Sequence, residues 1–270
     1  MRIWSLLLVF ISTASIAQNE GVEVQRSRLL LLPASTVERS AGEQYGHLMR
    51  QAAQKNALNV DKEQVERLRR IARELIPHAT RFNQNADKWR WEVNLISSKT
   101  VNAFCMPGGK IAFFSGIIDQ LQLTDDEIAT IMGHEIGHAL LEHGRARMSE
   151  QVLKSVGITA LSIFFNLGQF SAELLAQAAN LAVSLPYARR HESDADLVGM
   201  ELAARAGHDP RAAVSVWQKM ARLSQASAQS GGRGQPPQFL STHPSHESRI
   251  REIEANLPKV LPLYRKKTNS

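Results

Sequence analysis

Cysteine is almost absent from the sequence, and this limits both the redox chemistry and the kind of metal site that the chain can build. Cys105 is the only cysteine in 270 residues. No disulfide can therefore form within the chain, and neither a cysteine-rich zinc ribbon nor a C-x-x-C redox motif is present. Any metal ion that the chain binds must be held by histidine and carboxylate side chains.

Clustered positive charge and long apolar runs are also lacking. The net charge of +6 comes from scattered lysines and arginines, and no basic patch is interleaved with aromatic residues, so we expect no nucleic-acid binding. The apolar stretch 153–184 is interrupted by polar residues, and its longest clean run, 156–165, is too short to cross a bilayer. We interpret the stretch as one or two helices over a cleft, with contact at a membrane surface as the alternative.

The first 17 residues are typical of an export signal. Arg2 supplies a positive charge, residues 3–11 form a short apolar run, and small residues at 15–17 precede a cleavage point. An uncleaved anchor is the alternative. No cysteine lies near residue 17, which excludes lipoprotein attachment. We predict a signal peptide at 1–17 and one domain at 18–270 that works outside the cytoplasm.

Residues 133–138 read Gly-His-Glu-Ile-Gly-His and contain the pattern H-E-x-x-H. On a helix, two histidines four residues apart project from one face. Neutral imidazoles at this spacing can bind one Zn²⁺, and the glutamate between them can take a proton from a water molecule. The same pattern also arises by chance in helices with two ordinary polar histidines, so the surrounding sequence must decide.

The surrounding sequence favours a buried, metal-binding helix. Thr124 and Glu127 form a capping box that starts a helix continuing to about Met148. Its apolar residues lie on several sides, which predicts burial. Buried histidines and a buried glutamate are costly unless something satisfies them, and a metal ion would satisfy all three. Gly133 and Gly137 lower helix propensity but leave room for packing beside the proposed ligands.

A catalytic zinc site needs a third protein ligand. His143 follows the second histidine by five residues, off the ligand face, and we predict that it lies at the surface. Glu192 and Asp196 lie four residues apart on a second predicted helix, 187–206. We predict Glu192 as the third ligand and Asp196 as a hydrogen-bond partner of a ligand histidine. A solvated acidic face is the alternative.

The remaining patterns predict further helices and a small sheet. Apolar residues at the helical period predict helices from 35, 61 and 209, a last helix is predicted at 245–255, and a mobile loop is expected at about 225–241. Short strands are predicted at 89–95, 102–106 and 110–115. An edge strand of this sheet can bind an extended peptide by strand addition, or the hairpin can be purely structural.

Four blocks of the sequence carry a resemblance to a known family. They are 102–104 with 107–110, then 134–138, then 192–196, then 241–244 with Arg249. In this order they resemble the HtpX/BepA/Oma-type zinc metallopeptidases, a group that includes the prenyl-protein (CAAX) proteases, over about residues 26–255. The resemblance implies a compact, mainly helical α+β gluzincin fold with a small β-sheet, one Zn²⁺ and endopeptidase activity. By position it implies His134, His138 and Glu192 as ligands and Glu135 as catalyst.

The resemblance also directs the expectations on function. We expect a zinc metalloendopeptidase of the periplasm that cleaves protein or peptide substrates, among them misfolded or misassembled envelope proteins. A membrane surface and outer-membrane assembly factors are the further partners that we expect. The alternative is an assembly or chaperone-like factor that holds client chains through 153–184 and has latent proteolysis.

Two residues of the last block are candidates for the stabilisation of the oxyanion. The tetrahedral oxyanion of peptide hydrolysis needs positive partners beside the metal. His243 and Arg249 match the family's block after the loop, and we predict this role for both. A helix-start role for His243 and a surface charge for Arg249 are the alternatives. In a further alternative, His243 is a fourth zinc ligand that masks the site.

Overall fold

The computed structural model of the chain describes residues 21–25, 30–153, 189–229, 237–243 and 247–264. The predicted signal at 1–17 and nearly all of the apolar stretch 153–184 lie outside these residues. Helices dominate the described residues, and one small sheet accompanies them, which confirms the predicted mainly helical α+β class. Within the described ranges, no helix is both long enough and apolar enough to span a bilayer.

The helices and strands succeed one another as follows. They are α1 (Ala34–Gln54), α2 (Lys62–Leu75), β1 (Glu92–Ile96), β2 (Ala103–Met106), β3 (Lys110–Phe114), α3 (Ser115–Leu121), α4 (Asp125–Leu140), α5 (143–153), α6 (Arg189–Arg205), α7 (Ala212–Gln229), α8 (Gln238–Thr242) and α9 (Glu247–Val260). Short 3-10 turns follow α2, precede β1 and follow α9.

The sheet has the strand order β1-β3-β2, with β1 parallel and β2 antiparallel to β3. Two glycines form the turn between β2 and β3, where Gly108 and Gly109 have φ of 82° and 80°, a region that glycine enters without steric cost. β2 is therefore an edge strand, with β3 on one side and no further strand among the described residues on the other. The predicted strands are confirmed, except that the first begins at Glu92, after both tryptophans.

The helix that carries H-E-x-x-H begins as predicted. The Thr124 hydroxyl accepts a hydrogen bond from the Glu127 N–H, and the Glu127 carboxylate accepts one from the Thr124 N–H, which completes the capping box. Every residue from 127 to 140 is buried, so the prediction of a buried helix is confirmed. Such burial makes α4 the centre of the core and leaves its polar residues dependent on partners within the protein.

α4 and α6 approach each other closely at their glycines. A Cβ on Gly133 would lie 2.9 Å from the carbonyl oxygen of Gly199, and one on Gly137 would lie 3.1 Å from that of Ala195. Contacts this short mean that the two backbones can approach only because these positions lack side chains. The predicted role of Gly133 and Gly137, to leave room beside the proposed ligands, agrees with this packing.

Three predicted segments have wrong boundaries. α4 ends at Leu140 rather than near Met148, because Glu142 adopts a φ of 56° and interrupts the helix before α5 begins at 143. The loop predicted at about 225–241 is too wide, since α7 continues to Gln229 and α8 occupies 238–242; its centre lies outside the described residues. The last helix also runs beyond its predicted end, to Val260.

Candidate metal centre

Four buried side chains from three helices converge on one point. His134 and His138 of α4, Glu192 of α6 and His243 at the end of α8 each offer a ligand atom, and these atoms lie within 4.8 Å of one another. The two Nε2 atoms of the α4 histidines are 3.1 Å apart. Glu192 Oε2 lies 3.7 Å from His134 Nε2, and Glu192 Oε1 lies 3.4 Å from His138 Nε2. The structure thus brings the three predicted ligands together and adds His243.

The chemistry of these donor atoms fits a divalent cation. Glu192 Oε1 is buried and has no hydrogen-bond partner within the described part of the chain, a state that costs free energy unless a ligand satisfies the oxygen. The two Nε2 atoms also face each other at 3.1 Å, a distance at which their lone pairs repel unless a proton or a cation lies between them. Two imidazoles and one carboxylate are a donor set typical of catalytic zinc, so these residues could hold a metal ion.

Asp196 is the hydrogen-bond partner of His134. Its Oδ1 lies 2.9 Å from His134 Nδ1, so we infer that Nδ1–H donates and that Nε2 is left to face the cluster. Burial raises the pKa of Asp196, but the Arg249 guanidinium and His134 outweigh it and hold that pKa below its ordinary value. The carboxylate therefore stays ionised and can accept this hydrogen bond from His134.

His143 is the corresponding partner of His138, and the prediction of a surface position for His143 is wrong. The break at Glu142 turns His143 back into the protein, where it is fully buried, and the two Nδ1 atoms are 2.9 Å apart. Since His138 Nε2 faces the cluster, its Nδ1–H donates and His143 Nδ1 accepts. Burial and the neighbouring His191 and His134 lower the pKa of His143 to about 2, so the ring is neutral and its Nδ1 can accept the hydrogen bond from His138.

Arg249 holds both carboxylates of α6. Its Nη1 donates to Glu192 Oε2 at 2.5 Å, and its Nε and Nη2 donate to Asp196 at 2.8 and 2.7 Å. The guanidinium lies over the Trp217 ring, 3.7 Å from its centroid. Arg249 is only 3% exposed, so the alternative of a surface charge is wrong. Because three of its nitrogens face the two carboxylates, the geometry favours a positioning role over the predicted contact with an oxyanion.

Glu135 faces the opposite side of the cluster, towards β2. The backbone N–H of Cys105 is directed to its carboxylate, while burial and the charge of Glu192 raise the pKa of Glu135 well above its ordinary value. Glu135 Oε1 lies 3.5 Å from His243 Nε2 and has no hydrogen-bond partner among the residues that the structure describes. A buried carboxyl group that faces the cluster in this way can act as a proton acceptor and donor there.

Comparison with protein families shows which family the chain belongs to. Residues 62–257 match the family model described as peptidase family M48. The chain belongs to peptidase family M48. The predicted resemblance is thereby confirmed, and the buried cluster of three histidines and a glutamate is consistent with the compact zincin domain that the sequence predicted.

The curated relatives of this M48 chain are longer proteins. The mitochondrial metalloendopeptidase OMA1 of Arabidopsis thaliana is 36% identical over 178 residues, which are 65% of this chain and 34% of that protein. The protein of the same name from Schizosaccharomyces pombe is 36% identical over 173 residues, 63% of this chain and 48% of the relative. The beta-barrel assembly-enhancing protease of Escherichia coli is 28% identical over 197 residues, 70% of this chain and 38% of that protein. The chain thus spans about a third to a half of the length of these relatives.

We predict that His143→Leu weakens zinc binding by about 10- to 100-fold, because His138 loses the acceptor of its Nδ1–H. The affinity is measured by competition with a chromogenic zinc chelator, after circular dichroism has established that the variant is folded. His143→Asn keeps an acceptor and should lose less affinity. His47 is an exposed histidine of α1, and His47→Leu serves as the matched control. An unchanged zinc affinity in His143→Leu would contradict the assigned hydrogen bond.

Proposed function

We propose that this chain is a zinc-dependent endopeptidase in which His134, His138 and Glu192 hold the metal ion and Glu135 transfers protons. The supporting observation is the convergence of the three ligand side chains from α4 and α6, with one buried Glu192 oxygen that lacks a partner among the described residues. Membership of a metallopeptidase family supports the same reaction class. The choice of zinc rests on the donor set of imidazoles and a carboxylate.

The mechanism assigns a separate task to each buried residue. A metal ion held by His134, His138 and Glu192 would supply a Lewis acid that lowers the pKa of water and polarises a carbonyl. Glu135 takes a proton from the attacking water and then passes it to the leaving amine, a role that its position beside the cluster, with one unpartnered oxygen among the described residues, suits. Asp196 fixes the orientation of His134, and Arg249 holds the Glu192 carboxylate in place.

The free edge of β2 is the proposed binding site for the peptide backbone of the substrate. β3 occupies only one side of β2, and the N–H of Cys105 is directed towards Glu135. An extended peptide that pairs with the other edge of β2 would therefore pass beside Glu135. Strand addition of this kind recognises the backbone, so it allows many different sequences to be bound.

We propose that His243 masks the centre rather than stabilising the oxyanion. Its imidazole offers a ligand atom that lies within 4.8 Å of those of the three proposed ligands. Its ring stacks on Phe239 with centroids 4.4 Å apart, and its centroid lies 5.2 Å from those of both His134 and His138. A catalytic zinc ion keeps one position open for water or substrate, and His243 is close enough to fill that position.

Substrates and location are proposed on the sequence and on the relatives' names. We propose misfolded or misassembled envelope proteins as substrates, the periplasm as the compartment and outer-membrane assembly factors as partners. The signal-like residues 1–17 and the beta-barrel assembly-enhancing protease of Escherichia coli support this view, whereas the two OMA1 relatives are named as mitochondrial. The alternative is a client-binding factor with latent proteolysis. The position of His243 beside the proposed ligands supports it, because a masked centre would cleave slowly.

Replacement of Glu135 tests the proposed reaction. We predict that Glu135→Gln, in protein purified from Gln18 onward, cleaves casein about 10²- to 10⁴-fold more slowly, because the amide cannot take up the proton. Its zinc content, measured by atomic absorption, should equal that of the unaltered protein, because Glu135 is not a proposed ligand.

The control for this test is Glu63→Gln, on the exposed surface of α2, which should cleave like the unaltered protein. A strong chelator should abolish cleavage, and added zinc should restore it. The proposed function is wrong if Glu135→Gln keeps full activity or if metal-free protein still digests casein.

Replacement of His243 distinguishes masking from oxyanion stabilisation. If the centre is closed for 90–99% of the time, opening it raises the rate by about 10- to 100-fold, and we predict that His243→Ala increases casein cleavage accordingly. The double variant with Glu135→Gln should stay inactive, which would assign the gain to the same centre. A lower rate in His243→Ala would instead support an oxyanion contact, and an unchanged rate would exclude both roles.

A further inference from the structure

A cleft lies between α2 and β1, at the edge of the sheet opposite β2. Arg69, Ala72 and Arg73 of α2 line one wall together with Ile76 of the turn that follows, and residues 91–94 line the other. This α2–β1 cleft has a volume of about 430 Å³, a size typical of binding sites. Because β3 lies between β1 and β2, the cleft is separate from the proposed catalytic centre, and proteolysis assigns no role to it.

The outer edge of β1 is open at Val93. The Glu92 N–H donates to the Gly109 carbonyl in the parallel ladder with β3, so the N–H and C=O groups of the next residue, Val93, point away from β3. The Val93 carbonyl accepts one long hydrogen bond, of 3.4 Å, from Arg69 Nε. The Val93 N–H has no acceptor among the described residues.

Farther along β1 the same edge is closed. The Asn59 N–H donates to the Leu95 carbonyl and the Asn59 side chain accepts the Leu95 N–H, both at 2.8 Å. The Ser97 N–H donates to the Ala57 carbonyl. A strand edge with unpaired N–H and C=O groups can pair with another extended chain. The opening at Val93 therefore admits a short extended segment.

The α2 side of the cleft is positively charged. Arg69 and Arg73 lie four residues apart and are therefore neighbours on the helix surface. Arg73 is exposed and forms no ion pair with a described residue. Arg69 pairs with the exposed Glu66, an interaction that contributes little in water. Glu92, the one acidic residue of the lining, is paired with Lys110 at 2.6 Å.

Trp91 gives the cleft a fixed apolar wall. Its Nε1–H donates to the Ala86 carbonyl at 3.0 Å. Its ring lies so close to Gly109 that a Cβ on that glycine would be 2.7 Å away, and the centroid of the Trp89 ring lies 5.3 Å away. Since these contacts already hold the side chain in place, a ligand that packs against it would lose little free energy in ordering it.

We propose that the α2–β1 cleft binds an extended, acidic segment of a partner protein, which pairs with β1 at Val93 and directs carboxylates towards Arg69 and Arg73. The bound backbone would accept the Val93 N–H and would donate to the Val93 carbonyl in place of the long bond from Arg69. Every second side chain of an extended chain points to the same face, so alternate acidic residues would face α2. A nucleic acid or a lipid headgroup matches the positive charge but has no peptide backbone to pair with the strand.

The test is the binding of a short fluorescein-labelled peptide in which glutamate alternates with threonine, followed by fluorescence anisotropy. The chain from Gln18 onward carries zinc and Glu135→Gln, so that cleavage does not consume the probe. Arg73→Glu in this protein should weaken binding by about 5- to 10-fold, because repulsion replaces attraction. Binding should also weaken as the salt concentration rises.

Arg50→Glu is the matched control. Arg50 is an exposed arginine of α1 outside the cleft, and its replacement changes the net charge by the same amount without affecting the proposed site. The affinity of this variant should equal that of the Glu135→Gln protein. If circular dichroism shows that Arg73→Glu is unfolded, Arg73→Ala takes its place and should weaken binding by about threefold.

Two further measurements test the strand pairing. A peptide with the same charges, but with alternate backbone nitrogens methylated, cannot donate to β1 and should bind much more weakly. Amide hydrogen exchange should slow at Val93 when the unmethylated peptide binds. The Leu95 N–H, which is already bonded to Asn59, serves as the internal reference.

Several results would overturn the proposal. Equal weakening by Arg73→Glu and Arg50→Glu would mean that only the net charge attracts the probe. Equal binding of the methylated peptide, or of a single-stranded oligonucleotide of the same charge, would show a general anion site without strand pairing. Unchanged exchange at Val93 would place the peptide elsewhere. None of these results bears on the proposed proteolysis, which casein cleavage tests separately.

Discussion

The close approach of α4 and α6 is the constraint on which the centre depends. A Cβ on Gly199 would lie 2.7 Å from the backbone nitrogen of His134, so the two helices can cross here only because glycines face each other. Since the crossing lies beside the H-E-x-x-H residues, the α6 carboxylates come within reach of the imidazoles. Glu192 then meets both histidines, and Asp196 meets His134. A bulkier residue at the crossing would force α4 and α6 apart and would thereby separate the proposed ligands.

Charge balance is the second constraint, because the centre buries three carboxyl groups. Arg249 compensates Glu192 and Asp196 directly and is shielded from water by Trp217. Buried charges are tolerated when they are paired, and removal of one partner leaves the other uncompensated. A bound cation would complete this balance at Glu192 and oppose the rise in the pKa of Glu135. The centre and the packing of α6 and α9 against the core therefore support each other.

Features with a local sequence signal could be predicted, and features set by distant contacts could not. The capping box, the helical period and the H-E-x-x-H spacing are local, and the spacing of Glu192 and Asp196 on a second predicted helix, together with the family resemblance, indicated Glu192. The break before α5 carries no glycine or proline at 141–142, so the burial of His143 had no local signal. Arg249 lies more than fifty residues from its partners in the chain, and only the fold shows that it faces them. The polar residues near 225 resemble a loop, although tertiary packing keeps α7 helical to Gln229.

One measurement addresses the central claim directly, namely that a metal ion joins α4 to α6 through two imidazoles and one carboxylate. Crystals of the chain from Gln18 onward would be exposed to X-rays just above and just below the zinc absorption edge. The account predicts one anomalous peak per chain at the edge, surrounded by His134 Nε2, His138 Nε2 and the Glu192 carboxylate. A map without a peak there, from protein that digests casein, or a Glu192 side chain turned away from both histidines would contradict it.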